Sequence, residues 1–374
     1  MKYREVLKYL IPSACYILVT SSAAAQTSSL PDIATFDLPR TVDKPLENVD
    51  GFSTYYGSAE VEDGIRLRSL ITIPDGAEAP LRPLLFTQWV SCGSIELPSA
   101  KSSLAQIARD SGLAMVRVER AGSGDSEGPP CSELDYDTEV DHYIAAFTQL
   151  LNNPLLNSDA VFVFGSSLGS TTAPLVAKAL QDKGVNIAGV VVQGGGGLTH
   201  FERMLNFDRF YLERRPELIS ADSIHEQMNA RAIFHTEYLV KGRHPDDIAR
   251  DDERMEAVRK DVRGLGSNDH YGRPFAWHQQ AAQQNFLAAW AELNADVLVV
   301  FHEFDQFETR HGHEIIVDTV NQQRPGTATF VLQEDLGHSG WQFDSLIQAY
   351  ADEQGSPAPG RLASTVIAWL QERN

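Results

Sequence analysis

The sequence predicts an α/β domain with a mostly parallel central sheet flanked by helices, interrupted by a helical lid insertion. Three observations lead there. Short runs that are apolar on both faces alternate with helical stretches, the pattern of a parallel sheet covered on both sides. The alternation stops over residues 200–292, which are rich in Arg, Glu, Gln and His and carry helical spacing without a good strand. It then resumes to the end of the chain. A length of 374 residues suits one such domain, 51–199 and 293–374, with the insertion between its halves.

The first 25 residues read as an export signal. Lys2, Arg4 and Lys8 make a positive start, an apolar stretch runs from Tyr9 to Val19, and Ala23-Ala24-Ala25 supplies a small-x-small cleavage site. The apolar run is shorter than the roughly 20 residues a membrane span needs, so no span is expected in the mature chain. The expected location is periplasmic or secreted. Residues 26–50 carry Pro, Thr, Ser and Asp without periodicity and read as an extended leader.

Phe52–Val61 and Ile65–Ile73 read as strands joined by a Glu-Asp-Gly turn, as in a hairpin. Pro83–Val90 and Leu113–Val118 read as buried strands, with a helix over Lys101–Asp110 between them. A helix over Asp137–Leu151 ends before Asn152-Asn153-Pro154. Ala160–Phe164 is a strand, Thr171–Leu180 a helix and Ile187–Val192 a strand. After the insertion come a strand at Val297–Phe301, a helix near His313–Asn321, a strand at Ala328–Leu332 and a last helix at Arg361–Glu372.

The formal net charge of −20 opposes binding to nucleic acid or anionic lipid. Absence of Cys-x-x-Cys or His-x-x-x-His argues against a zinc site. Gly194-Gly195-Gly196-Gly197 is not followed by Lys-Ser/Thr, so it reads as a flexible approach to the insertion and not as a phosphate cradle. Gly122-x-Gly124 lacks the third glycine of a dinucleotide fingerprint. No cofactor and no metal are expected.

The sharpest local signal is Gly165-Ser166-Ser167-Leu168-Gly169, between a strand and a helix. A serine hydroxyl becomes a nucleophile only when held clear of its neighbours beside a base. A tight strand-to-helix turn does that, and glycines two residues before and after relieve the crowding. The frame selects Ser167. A base and an orienting carboxylate are then required. Asp305 follows the late strand Val297–Val300, with Glu303 as the alternative; His338 lies after the final strand. His311 and His313, in or near a predicted helix, read as surface groups, and His302 sits too close to the acid's own turn.

These motifs resemble those of the α/β-hydrolase superfamily, over roughly residues 52–373 with the insertion as lid. The order Ser, Asp, His is the family's order. Glu119-Arg120-Ala121-Gly122-Ser123-Gly124-Asp125-Ser126 is similar to its D-x-R-G-x-G-x-S-type loop. Gln88-Trp89-Val90 occupies the place of its His-Gly-x oxyanion turn, although neither His nor Gly is present. The resemblance implies oxyanion donors at the backbone N–H groups of Val90 and Leu168. It also looks like secreted esterases and serine peptidases of the prolyl-peptidase type.

The expected activity is serine hydrolysis of a carboxylic ester, on a small-molecule ester substrate. The alternative is a peptidase with a peptide substrate, whose amine pocket would draw on Glu213, Glu217 or Glu226. A non-catalytic binding protein on the same fold is a third reading, opposed by the full set of three groups. Aromatics at 270–278 would line a substrate pocket or, as the better reading, form the insertion's own core. Of three cysteines, Cys15 leaves with the signal. Cys92 and Cys131 then form an even pair in an oxidising compartment and are expected to be bonded, near the oxyanion turn.

Overall fold

A computed structural model describes residues 38–215, 220–351 and 354–374. The expected export segment 1–25, and the leader through residue 37, lie outside the described residues.

The predicted hairpin opens the fold as β1 (Phe52–Glu60) and β2 (Arg66–Pro74). Then follow β3 (Pro83–Thr87), α1 (Ser103–Asp110), β4 (Ala114–Val118), α2 (Tyr136–Leu150), β5 (Val161–Ser166), α3 (Gly169–Asp182) and β6 (Ile187–Gln193). β3 ends at Thr87, three residues before the predicted end. The next carbonyls leave the sheet and are taken by the Arg120 guanidinium, which bonds those of Gln88, Trp89 and Ser91.

The insertion comprises α4 (His200–Glu213), α5 (Ala221–His235), a π-turn, α6 (Pro245–Ala249) and α7 (Glu253–Asp261). A minimal hairpin, β7 (Asp269–His270) with β8 (Arg273–Pro274), then precedes α8 (Phe275–Ala281) and α9 (Phe286–Glu292). That hairpin is too short for a period-2 pattern to register in the sequence. The chain returns as β9 (Asp296–Phe304), α10 (Arg310–Gln323), β10 (Ala328–Gly337), β11 (Trp341–Gln342), α11 (Leu346–Tyr350), β12 (Ser356–Pro357) and α12 (Pro359–Gln371).

The sheet order is β1-β2-β4-β3-β5-β6-β9-β10-β11-β12. From β4 to β10 neighbours run parallel; the edges are antiparallel. Side chains of the central strands are buried on both faces. One face packs Phe147, Val176, Leu180, Ile316 and Val320 from α2, α3 and α10. The other packs Ile107, Ala108, Val366 and Leu370 from α1 and α12. The insertion has its own core, with Phe234, Tyr238, Met255 and Phe275. Tyr271 and Phe275 join that core, as the intrinsic-core reading has it, whereas Trp277 packs with Tyr136, Val140 and Leu168 of the main domain. α9 instead lays Trp290 into the main core.

Residues 38–50 lack regular structure but are fastened down. Arg40 bridges Glu96 and Asp125 at 2.7 Å each, and Thr41 and Val42 donate their N–H groups to Asp125. Glu47 pairs with Arg117 at 2.8 Å, both fully buried. Composition alone could not show this, because the partners lie 50 or more residues away in the chain.

His313 corrects the surface reading. It is fully buried, because α10 turns that face onto the sheet; its Nδ1–H donates to Thr309 O (2.8 Å) and its Nε2 accepts from Gly195 N–H (3.0 Å). The glycine run 194–197 is likewise not a flexible approach. A Cβ on Gly196 would stand 2.7 Å from Ser170 O, and one on Gly197 2.2 Å from Gly312 O. Those glycines let this loop lie backbone to backbone against α3 and α10.

Cys92 and Cys131 are joined, with Cα atoms 5.7 Å apart. In the chain-entropy description, a loop of 39 residues stabilises by roughly 4 kcal/mol at most. Replacing both cysteines by serine is therefore expected to lower the urea midpoint; an unchanged midpoint and slope would contradict the contribution.

Candidate active site

β5 is paired on both sides, by β3 and β6, so its carboxyl end is held rigidly. The chain turns there into α3, with Ser167 at φ 54°, the left-handed region that L-residues avoid. The N–H of Ser167 donates to Gln193 O at 2.7 Å. A Cβ on Gly165 would lie 2.3 Å from Gly169 O, and one on Gly169 would lie 2.0 Å from Thr87 O. The two glycines that framed the motif are required by these approaches.

The other two candidates meet this serine. β10 bulges between Gln333 and Gly337, with Asp335 at φ 61°, and releases His338 at the sheet's edge. Its Nε2 lies 2.8 Å from Ser167 Oγ and its Nδ1 2.7 Å from Asp305 Oδ2. A carboxylate can only accept, so Nδ1 carries the proton and Nε2 is left to accept from the serine. Asp305 also accepts from the N–H groups of Phe307 and Glu308 at 2.8 and 2.9 Å. Burial would raise the Asp305 pKa, but the His338 charge and these hydrogen bonds outweigh it and hold it below the usual carboxylate value. Burial would lower the His338 pKa, yet the Asp305 charge and hydrogen bond raise it. Glu303, the alternative acid, is exposed and accepts from Asp335 N–H.

Several neighbours escaped the sequence reading. Gln193 donates to His338 O (3.1 Å), and Gln306 accepts from His338 N–H (3.1 Å). The Phe307 ring lies edge-on to the imidazole at 5.0 Å. Glu308, buried beside Asp305, is paired with Arg203 of α4. A polar residue ending the apolar strand IAGVVVQ was the available signal for Gln193; the others have none.

Val90 packs against the apolar cluster that contains Leu168. Among the described residues, neither Val90 N–H nor Leu168 N–H has an intramolecular acceptor.

Two cavities flank His338. The larger, about 610 Å³, reaches Ser167 and is walled by Phe86, Phe164, Leu97, Leu104 and Leu362, with Lys44 and Glu96 also lining it. The smaller, about 380 Å³, is lined by Gln306, Phe307, Trp341 and Phe343. Neither has a lining residue from the insertion. Glu213 and Glu226 are exposed and line neither cavity, and Glu217 lies outside the described residues. Among the described residues there is no group of three or more His, Cys, Asp or Glu placed to hold a metal, and no helix is long and apolar enough to cross a membrane.

A sequence model described as "Alpha/beta hydrolase family" matches residues 89–353. No curated protein matches the chain. Among solved structures, the esterase Pf2001 of Pyrococcus furiosus is similar, at 12% identity and TM-score 0.55 over 90% of this chain and 96% of that one. The carboxylesterase EstE1, cloned from a metagenomic library, gives 16% identity and TM-score 0.52 over 88% and 90%. Carboxyl esterase 2 of Tuber melanosporum gives 14% and 0.50 over 92% of each chain. At such identities the likeness is one of fold.

Gly169→Ala tests the packing behind the turn. Its methyl would meet Thr87 O. A destabilisation of about 1–3 kcal/mol is expected, read by thermal unfolding, together with slower fluorophosphonate labelling; wild-type values of both would contradict the geometry.

Proposed function

This chain belongs to the alpha/beta hydrolase family, and from that premise we propose that it hydrolyses carboxylic esters through an acyl-enzyme formed on Ser167. The observation that carries this reading is the continuous chain of hydrogen bonds from Ser167 Oγ through the His338 imidazole to Asp305.

As Ser167 Oγ attacks the ester carbonyl, His338 Nε2 takes its proton. Asp305 holds the imidazole in the required tautomer and stabilises its charged form. The Val90 and Leu168 N–H groups receive the developing oxyanion. His338 returns the proton to the departing alkoxide, and the alcohol leaves. Water, deprotonated by His338, then attacks the acyl-enzyme and frees the acid and the serine.

Apolar walls of the larger cavity favour an apolar acyl or alcohol portion. The peptidase alternative needs a free carboxylate for an amine. Glu96 is the acidic residue lining that cavity, and it is engaged by Arg40 and Tyr56. An ester is therefore the better-supported substrate. The expected export of the chain, with its disulfide between Cys92 and Cys131, fits an enzyme acting outside the cytosol.

Ser167→Ala is expected to lower kcat for a short p-nitrophenyl ester by roughly 10³-fold or more with folding intact. A fluorophosphonate should label Ser167 alone; labelling at Ser166, or full activity in the variant, sinks the assignment.

The pH profile supplies a separate check. Only neutral His338 accepts the serine proton, so kcat/KM rises with pH as the imidazolium titrates. Because Asp305 raises that pKa, the acid limb should lie above the ordinary histidine value of about 6.5. Asp305→Asn should move the limb down and lower kcat by roughly 10⁴-fold. A wild-type limb below 6.5, with chemistry limiting, would contradict the pairing.

A further inference from the structure

Behind the turn that follows β3 lies a buried polar cluster of residues from three segments of the chain. Arg120, after β4, pairs with Glu139 of α2; Glu139 also pairs with Arg273 of β8 and accepts from Trp277 Nε1–H of α8 at 3.0 Å. All four are at most 2% exposed. The Arg273 guanidinium stacks on the Trp277 ring at 5.3 Å, and it donates to Cys131 O at 3.2 Å beside the Cys92–Cys131 bond. Breaking such a pair leaves an uncompensated charge in the interior, which makes the arrangement stiff.

Arg120 spends its remaining donors on one short stretch. Its Nη2 reaches Gln88 O (3.1 Å) and Trp89 O (2.7 Å), and its Nη1 reaches Ser91 O (2.9 Å). In a planar trans peptide the C=O and the following N–H point in opposite directions. Fixing Trp89 O against Arg120 therefore turns Val90 N–H away from the cluster. That N–H has no intramolecular acceptor among the described residues, and Val90 packs with the Leu168 cluster at the nucleophile turn.

We propose that Arg120, clamped by Glu139 and through it by Arg273 and Trp277 of the insertion, is the positioning residue that aims Val90 N–H at the oxyanion. The inference rests on the serine-hydrolase reading of Ser167. It gives the insertion a role that its absence from the cavity walls does not: Arg273 and Trp277 support the oxyanion turn from behind. A preorganised donor counts mainly in the transition state, where charge develops, so its misalignment should appear in kcat and leave ground-state binding alone.

The test compares Arg120→Lys and Arg273→Met with the wild-type chain. Lysine keeps the charge but cannot reach three carbonyls in a fixed fork. Active sites are first counted by fluorophosphonate titration. Per titrated site, Arg120→Lys should lower kcat for a p-nitrophenyl ester roughly 10- to 100-fold, somewhat less than outright loss of a donor, with KM little changed. Affinity for a trifluoromethyl ketone, whose adduct carries the oxyanion, should fall by the same factor as kcat/KM. Arg273→Met, which leaves Arg120 and Glu139 as a neutral pair, should show the same split at smaller size. A purely structural role would lower the melting temperature and the titratable fraction but leave kcat per site and ketone affinity at wild-type values; that result overturns the proposal. Should Arg120→Lys fail to fold, wild-type kcat and ketone affinity in Arg273→Met overturn it equally. Wild-type protein that fails to label at Ser167 would instead remove the underlying reading, and the proposal with it.

Discussion

The backbone of Ser167 sits in a left-handed conformation that costs an L-residue roughly 1–2 kcal/mol. Nothing local to a Ser-Ser-Leu stretch favours it. The surroundings hold it there: β5 is clamped between β3 and β6, Ser167 N–H is tied to Gln193 O, and the Gly169 backbone lies against Thr87 O with room for no side chain. Gly194 closes the remaining side, where a Cβ would stand 2.9 Å from the His338 ring. The histidine can lie beside the serine only because that position is bare. The close approaches of three strand ends are thus one constraint, and the turn, the glycine run and the seat of the imidazole all follow from it.

The parallel register explains how residues 167, 305 and 338 meet. β5, β6, β9 and β10 are successive parallel neighbours, so the loops at their carboxyl ends emerge on the same side of the sheet. About a hundred residues intervene between β6 and β9 without disturbing their pairing, since the entropic cost of closing a loop grows only slowly with its length. Two of the ties that hold the insertion to the rest of the domain run through Arg203 to Glu308 beside Asp305 and through Arg273 to Glu139 behind the oxyanion turn. Both ties are buried ion pairs, so neither yields without stranding a charge.

The elements that the sequence made legible are those whose signal is local. Apolar runs such as VFVF and VLVVF announced central strands, and Gly165 and Gly169 announced the turn through their spacing about Ser167, although only Gly165 has its close approach nearby, to Gly169 O, while that of Gly169 is to the distant Thr87 O. Asp305 and His338 could be chosen because position after a strand is itself a local property. What stayed hidden depends on distant partners. His313 looked like a surface residue until α10 was seen to press it on Gly195. The 38–50 segment looked loose because Glu96, Arg117 and Asp125, which hold it, belong to distant segments of the chain. The two cavities could not be read at all, since the walls of the larger draw on β3, β5, α1 and α12 together and the smaller is lined from the segments that follow β9 and β10. The aromatic-rich insertion drew attention in their place.

The sheet order also constrains how the molecule comes into being. β1 and β2 form a hairpin from contiguous residues, but β3 lies between β4 and β5, both made later in the chain. Until residues 161–166 arrive, β3 has one edge without its native partner, along a strand whose residues, Pro83 to Thr87, are all buried in the finished fold. Pairings of such sequence separation are slow to close, and an apolar edge left open invites a neighbouring chain. The same central placement that makes the site rigid therefore makes the middle of the sheet its most vulnerable part while the chain is still folding.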